Sequence, residues 1–400
     1  MKPSNNTVIG GNAKMVRSIN RATILNLIRE RQPISRISIS KVTKLNKSTI
    51  SSIVAELLDE EFLVEELVSD NNIGRNPYQL RLNPQRHFVG AVNFDTKLVR
   101  VAIINLNGKV LTQKETAVKN ATPQEYVKEA INRLNLLKSQ LSISTLEGIG
   151  VTISGLIDPL DGYVMFAPNL GWKDVRLSDL FKKYDKNKTL FRFENDAEAS
   201  AVGELWYGKG EIRMHSNFVF VSVGAGIGAG IVIDRKVIEG VSYAAGEFGH
   251  MTIHENGLKC ICGNEGCWEA YASDKATLKR FSERKKMNKR QVIIDDVYRS
   301  ALDGDREALA VVKETGLYLG EGIANILRAL DPPAIVIGGR ILAVWNIIYP
   351  EILKGLSRHS FFGIEKRVKI LPSSLDERPR LIGSATLVLS EIFRDYRIIK

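Results

Sequence analysis

All three cysteines of this 400-residue chain, Cys260, Cys262 and Cys267, fall within eight residues, just after the stretch Gly246-Glu247-Phe248-Gly249-His250. An odd, clustered set argues for a metal rather than for disulfides. One imidazole and three thiolates make a closed tetrahedral set, the way a structural zinc is held. Gly263 and Gly266 let the backbone fold around an ion, which three unliganded buried cysteines would not require. Zn2+ is therefore expected on His250, Cys260, Cys262 and Cys267, with no coordination position left for a catalytic water.

The rest of the chain divides by pattern. Segments 89–95, 99–111, 146–158, 218–234 and 334–339 read as strands, separated by helical stretches such as 125–140 and 316–330. Strands alternating with helices imply α/β architecture, and glycine-rich turns at strand ends in both halves suggest two lobes around a cleft. Before Phe88 the pattern differs. Residues 17–31 place Ile19, Ile24, Leu27 and Ile28 at helical spacing, and Pro33 stops that helix. Ser35 to Thr43 and Asn46 to Leu58 form two further helices around a tight Lys44-Leu45 turn. The second offers Lys47, Ser48, Thr49 and Ser51 on one face and Ile50, Ile53, Val54, Leu57 and Leu58 on the other. Short donors at a helix N-terminus with an apolar back are what a recognition helix needs to reach base edges. Alternation then continues around a turn bearing Gly74 and Arg75, the pattern of a two-stranded wing. The expected boundaries are 1–85 for a winged helix-turn-helix, 86–200 for a first lobe and 201–400 for a second lobe with the metal loop.

Charge supports a DNA partner. Residues 1–55 hold Lys2, Lys14, Arg17, Arg21, Arg29, Arg31, Arg36, Lys41, Lys44 and Lys47 against Glu30 alone, within a chain of net charge +11. The second basic run, Lys279 to Arg290, shows no turn logic and reads as a solvated helix or loop. No signal peptide precedes the first helix, and nowhere do about 18 uncharged apolar residues run together, so a cytoplasmic chain without a membrane partner is expected.

The E-x-G-H element followed by C-x-C-G-x-x-G-C-x-E, downstream of Glu194-Asn195-Asp196-Ala197, resembles the ROK family of repressors and sugar kinases. From about Thr23 onward the chain is similar to the family's xylose-responsive repressors of Gram-positive bacteria, through Asn46 to Ser52, Gly249 to Ile253 and Leu371 to Leu375. The resemblance implies a two-lobed actin/hexokinase-like (ribonuclease H-like) fold in a homodimer or homotetramer. It also implies a sugar site at Asn195, Asp196, Glu247, His250 and Glu269, with Asn169 adding a contact. Carboxylates and amides suit vicinal hydroxyls, which need acceptors and donors in pairs. His250 would face the metal with one ring nitrogen and the sugar with the other.

Kinases of the family carry D-x-G-G-T after their first strand; this chain has Asn93-Phe94-Asp95-Thr96-Lys97 instead. A carboxylate and a bulky residue there oppose the approach of polyphosphate to the main chain. The second phosphate turn, Gly224-Ala225-Gly226-Ile227-Gly228, has alanine where the family usually has threonine, and Gly338-Gly339 remains on the adenosine side. Asp196 alone argues for catalysis, since it stands where the kinases keep their base. The expectation is a non-enzymatic repressor that binds double-stranded operator DNA and is released by a sugar, xylose with glucose as the alternative. The competing expectation is an ATP-dependent, glucokinase-like sugar kinase with an accessory DNA-binding domain.

Overall fold

The computed structural model describes residues 13–67, 78–119, 122–286, 292–359, 363–375 and 379–394. Three helices open it, Ala13–Arg31, Arg36–Thr43 and Lys47–Asp59, followed by an antiparallel ribbon of Leu63–Leu67 and Tyr78–Leu82. Local chemistry sets these boundaries. Ser35 caps the second helix by accepting from Ser38 N, and Lys44 ends it in the left-handed region at φ 58. Asn46 caps the third by accepting from Thr49 N. Ile50, Ile53, Val54 and Leu57 bury its apolar back, while Leu58 is only half-buried. The first helix buries Ile24, Leu25, Leu27 and Ile28 but leaves Ile19 39% exposed. It starts earlier than its apolar spacing predicts, and its early residue Arg17 reaches Ser52 and Glu56 of the third helix. The ribbon turn with Gly74 and Arg75 lies outside the described residues.

The alternating region forms two five-stranded sheets of the same topology. In the first, the strands run in the order Phe191–Asn195, Gly148–Ile153, Val89–Asp95, Leu98–Ile104, Val110–Ala117. In the second, the order is Lys236–Val237, Ile227–Ile233, Phe218–Val223, Ala334–Gly339, Lys369–Pro372. Counted along the chain within each sheet, strand one pairs antiparallel with strand two and parallel with strand four. Val89–Asp95, buried up to Phe94, and the all-buried Gly148–Ile153 and Phe218–Val223 fit central strands covered on both faces. A small antiparallel sheet, Leu156–Asp158, Tyr163–Ala167 and Trp172–Arg176, is inserted between the last two strands of the first lobe. Its second hairpin carries Asn169.

Two boundaries differ from the sequence expectation. The cut at 200/201 falls inside the continuous helix Asp196–Tyr207. The C-terminal helix Pro379–Arg394 belongs to the first lobe rather than the second, because Leu381, Ala385, Val388 and Leu389 share a core with Val89, Ala91, Ala102 and Ile104. The contact is close: a Cβ on Gly150 would stand 1.7 Å from Ser384 O. The same core continues into Ile24, Ile28, Leu57 and Leu80, so the N-terminal module is packed onto the first lobe across the expected 85/86 cut. A chain reading assigns residues by order, and this core is assembled from segments some 300 positions apart in sequence. Among the described residues no helix is long and apolar enough to cross a membrane.

Candidate functional site

The two sheets face a cavity of about 330 Å³, lined by Asn169, Asn195, Asp196, Glu247, His250 and Glu269 together with Asp95, Ser154, Ser222, Gly226 and Arg380. All six residues singled out for a sugar meet there, supplied by four separate segments. Asn195 ends the last strand of the first sheet and caps helix Asp196–Tyr207 by accepting from Ala197 N and Glu198 N, while its Nδ2 donates to Gly155 O at 3.0 Å. Asp196 follows on the first turn of that helix, and its Oδ2 accepts from Ser154 Oγ at 2.6 Å. Asn169 Oδ1 accepts from Lys275 Nζ at 2.5 Å. Leu156, Phe166 and Ile227 add apolar wall, the mix of apolar surface and convergent polar groups common to small-molecule sites.

Glu247, His250 and Glu269 are tied to the cysteine loop. His250 Nδ1 lies 3.6 Å from Cys260 Sγ, and its Nε2 lies 3.7 Å from Glu247 Oε2, so the two ring nitrogens address different neighbours. Cys262 Sγ and Cys267 Sγ are 3.7 Å apart, and one donor atom from each of His250, Cys260, Cys262 and Cys267 lies within 4.8 Å of the others. Bond lengths of about 2.0–2.3 Å around a tetrahedral ion put ligand atoms roughly 3.3–3.8 Å apart, so this donor set fits a metal. The loop turns on Gly263 at φ 100 and Gly266 at φ 77, and a Cβ on Gly266 would stand 1.8 Å from His254 O. Glu269 Oε1 accepts from Cys260 Sγ at 3.1 Å and its Oε2 from Ile227 N at 3.4 Å. Burial raises the Glu247 carboxyl above its ordinary range, the charges of Glu269 and Asp196 adding to this and His250 opposing it.

The carboxyls on either side of Asn195-Asp196 are also perturbed. Burial, with the neighbouring charge of Glu194, pushes Glu198 up to about 10, and burial raises Glu194 to about 7. Glu198 is 3% exposed. Below the ordinary carboxyl range it is protonated folded and unfolded; above it only the unfolded chain sheds the proton, so stability is lost as pH rises. Glu198→Gln is accordingly expected to match the wild type at pH 4 and exceed it by about 1–3 kcal/mol at pH 8 in urea unfolding. A difference independent of pH would mean that Glu198 is not held protonated.

The turn after the first strand is fully engaged. Asp95 Oδ2 is paired with Arg100 Nη1 at 2.7 Å and Arg380 Nη1 at 3.3 Å. Burial opposes its ionisation, but Arg380 and Arg100 outweigh burial and bring Asp95 down to about 2. Thr96 Oγ1 donates to Asn169 O at 3.3 Å. Ser154, Ser222, Lys275 and Arg380 were not singled out in the sequence, where isolated serines and basic residues carry no pattern.

On the N-terminal module, Lys47, Ser48 and Ser51 are exposed at the start of the third helix and Thr49 is half-buried. Ser48 Oγ donates to the capping Asn46 Oδ1 at 2.9 Å. Arg75 lies outside the described residues. The basic excess is smaller than the count over residues 1–55 suggests. Arg17 pairs with Glu56 at 2.6 Å, Arg21 with Glu60, and Arg36 with Glu65 at 2.8 Å, acids that follow shortly after in the chain. Arg29 is buried against the first lobe. Lys41, Lys44 and Lys47 remain exposed. Arg280, expected to be solvated, instead donates to Tyr271 O and Thr315 Oγ1, both at 2.6 Å, beneath Tyr318.

Known proteins resemble this chain in sequence and fold. The chain is 32% identical over 377 residues to the xylose repressor of Bacillus subtilis strain 168, covering 94% of this chain and 96% of that protein. It is 26% identical to the DNA-binding transcriptional dual regulator NagC of Escherichia coli K12, covering 94% of both. Among solved structures, a ROK family transcriptional regulator homologous to the E. coli MLC protein matches with a TM-score of 0.79 at 26% identity, over 95% of this chain and 97% of that one. A ROK family glucokinase from Streptomyces griseus, solved with glucose and AMPPNP, matches with a TM-score of 0.66 at 25% identity over 75% of this chain and 98% of its own. The ROK family model matches residues 89–391. With both duplicated sheets, the cleft between them and the cysteine loop inside that span, the chain belongs to the ROK family.

Proposed function

We infer that this chain is a sugar-responsive transcriptional repressor: residues 13–82 hold operator DNA, and a sugar in the cleft releases it. The observation that carries this reading is the match to repressors along nearly the whole chain, where the glucokinase match spans 75% of it. The three helices and ribbon are read as a winged helix-turn-helix, with Lys47, Ser48, Thr49 and Ser51 toward base or phosphate and Arg75 on the wing. Two copies in a homodimer or homotetramer set two such helices in successive major grooves.

The inducer is a monosaccharide, xylose first and glucose second, bound by Asn169, Asn195, Asp196, Glu247, His250 and Glu269. Zn2+ on His250, Cys260, Cys262 and Cys267 supplies a fixed imidazole orientation. His250 then presents Nε2 beside Glu247, and the backbone N–H of Ile227 holds Glu269.

The helix that begins with Asp196 also supports a route from sugar to DNA. Its far end carries Trp206, whose carbonyl accepts from Arg29 Nη1 at 3.0 Å and whose ring centre lies 4.2 Å from the Arg29 guanidinium carbon. Asn26 Nδ2 donates to Phe393 O at 2.8 Å beside it. A tilt of this helix as the cleft takes up sugar therefore moves the C-terminal end of the first helix of the DNA-binding module. Release requires that sugar bind the DNA-incompetent arrangement more tightly than the DNA-bound one.

The second reading, an ATP-dependent sugar kinase, rests on Asp196. Against it, Asp95 and Thr96 fill the first phosphate turn, and phosphoryl transfer depends on a positioned, charge-neutralised phosphate. Fluorescence anisotropy of DNA from upstream of the chain's own gene, titrated with protein and then with xylose or glucose, tests the first reading. Salt-sensitive, sequence-preferring binding released by one sugar is expected. Absence of such binding, with sugar-dependent ADP release from ATP, would favour the kinase.

A further inference from the structure

The turns after the first strand of each sheet, residues 95–97 and 224–226, face each other across the cleft. The group that joins them comes from neither. Arg380, on the first turn of the C-terminal helix, places Nη1 3.3 Å from Asp95 Oδ2 and Nε 3.2 Å from Asp196 Oδ2. Its Nη2 donates to Ser222 Oγ at 3.2 Å. Gly224 accommodates the same fork, since a Cβ there would stand 2.7 Å from Nη2. Behind Asp95, Arg100 links on to Glu115 at 2.7 Å. One planar cation thus touches a carboxylate on the first turn, the carboxylate at the head of helix Asp196–Tyr207, and a hydroxyl of the second lobe.

A cleft that transfers phosphoryl groups needs mobile cationic charge at such a point, shared between carboxylates and phosphate oxygens. A guanidinium presents five fixed donors and keeps its charge when buried, so it can satisfy both carboxylates permanently. Asp196 Oδ2 receives Ser154 and Arg380 together, which fixes the carboxylate plane and leaves Oδ1 for a ligand hydroxyl.

We propose that Arg380 is a positioning residue of the sugar site, an internal cation that locks Asp95 and Asp196 to one guanidinium and so holds Asp196 and the lobe separation ready for a monosaccharide. This rests on the reading of Asp196 as a sugar contact. Without Arg380, Asp95 keeps its pair with Arg100, but Asp196 is left with Ser154 alone and loses the cation that fixes its orientation.

The test is calorimetric titration of D-xylose and D-glucose into the full-length, metal-loaded protein and its Arg380→Ala and Arg380→Lys variants. Arg380→Ala is expected to weaken binding of the sugar the wild type prefers by at least about tenfold. Arg380→Lys, which keeps the charge and loses the fork, is expected to fall between the two. Guanidinium chloride at about 20 mM should restore much of the alanine variant's affinity by refilling the gap, and sodium chloride at equal ionic strength should not. Should the alanine variant fail to fold, the lysine variant carries the comparison, and full wild-type affinity in it would count against the fork. Affinity of Arg380→Ala within twofold of wild type, or a loss recovered by neither lysine nor guanidinium, overturns the inference. Glu247→Ala separates the two levels: if it abolishes sugar binding while Arg380→Ala does not, only the role of Arg380 fails. If Glu247→Ala binds normally, the site itself is misplaced.

Discussion

Replacing Glu247 with alanine is expected to leave operator affinity unchanged and to weaken sugar binding about 30- to 100-fold, so that sugar no longer releases the DNA. The size follows from removing one carboxylate from a half-buried polar cluster: a charged hydrogen-bond partner of a ligand hydroxyl contributes about 2–3 kcal/mol, and each 1.4 kcal/mol is tenfold. The specificity of the effect follows from position. Glu247 lies in the loop after Lys236–Val237, on the far side of the cleft from the first lobe that packs against residues 13–82. Operator binding by anisotropy and sugar binding by calorimetry give the two readouts separately. A variant released by sugar at wild-type concentrations would remove Glu247 from the site.

Cys262→Ser is expected to lose the metal and, with it, most of the sugar affinity, while the two lobes stay folded. Met251 and Ile253 pack on the core of the second lobe, but the stretch beyond them buries little apolar surface, with Leu258 41% and Ile261 57% exposed, so a bound metal would be its main source of order. Structural zinc supplies about 10–16 kcal/mol in small peptides that fold around it, more than the net contribution of the loop's few backbone hydrogen bonds. The next segment is anchored independently. Trp268 is fully buried, donates Nε1–H to Tyr318 O at 2.7 Å, and packs so closely on Gly322 that a Cβ there would stand 2.0 Å from its ring. The loss should therefore be local. Far-UV circular dichroism is expected to change little, while chelation of the wild type reproduces the variant's sugar affinity. Unchanged sugar affinity after verified metal removal would contradict the link through His250.

What the sequence made legible shares a physical cause: each signal was local. The caps at Ser35 and Asn46 and the left-handed Lys44 place the second and third helices within a residue of their expected ends. The cysteine spacing and its glycines describe a loop that closes on itself. The cleft residues were identified through motif resemblance; Asn195, Asp196 and Glu269 sit at a strand end or a helix start, while Asn169 and Glu247 lie in connecting turns.

What was not legible is long-range. Nothing near Arg380 distinguishes it from other arginines, because its meaning comes from Asp95 and Asp196, 285 and 184 residues earlier in the chain. The C-terminal helix has an apolar face that suits either lobe, and close contacts at small residues, Gly150 with Ser384 and Gly383 with Ala199, decide which. The basic count over residues 1–55 overstated the free charge, since Glu56, Glu60 and Glu65 fold back on Arg17, Arg21 and Arg36. Arg280 failed for the related reason that its partners, Tyr271 and Thr315, lie on other elements.

Reciprocity gives the most direct measurement of the repressor reading. If sugar weakens operator binding by some factor, operator must weaken sugar binding by the same factor. Calorimetric titration of the inducing sugar into the protein, alone and then saturated with operator DNA, should show affinity reduced in the complex by the factor that anisotropy finds for DNA. Equal sugar affinity with and without operator would contradict a sugar-released repressor, whatever the sugar and however tightly it binds.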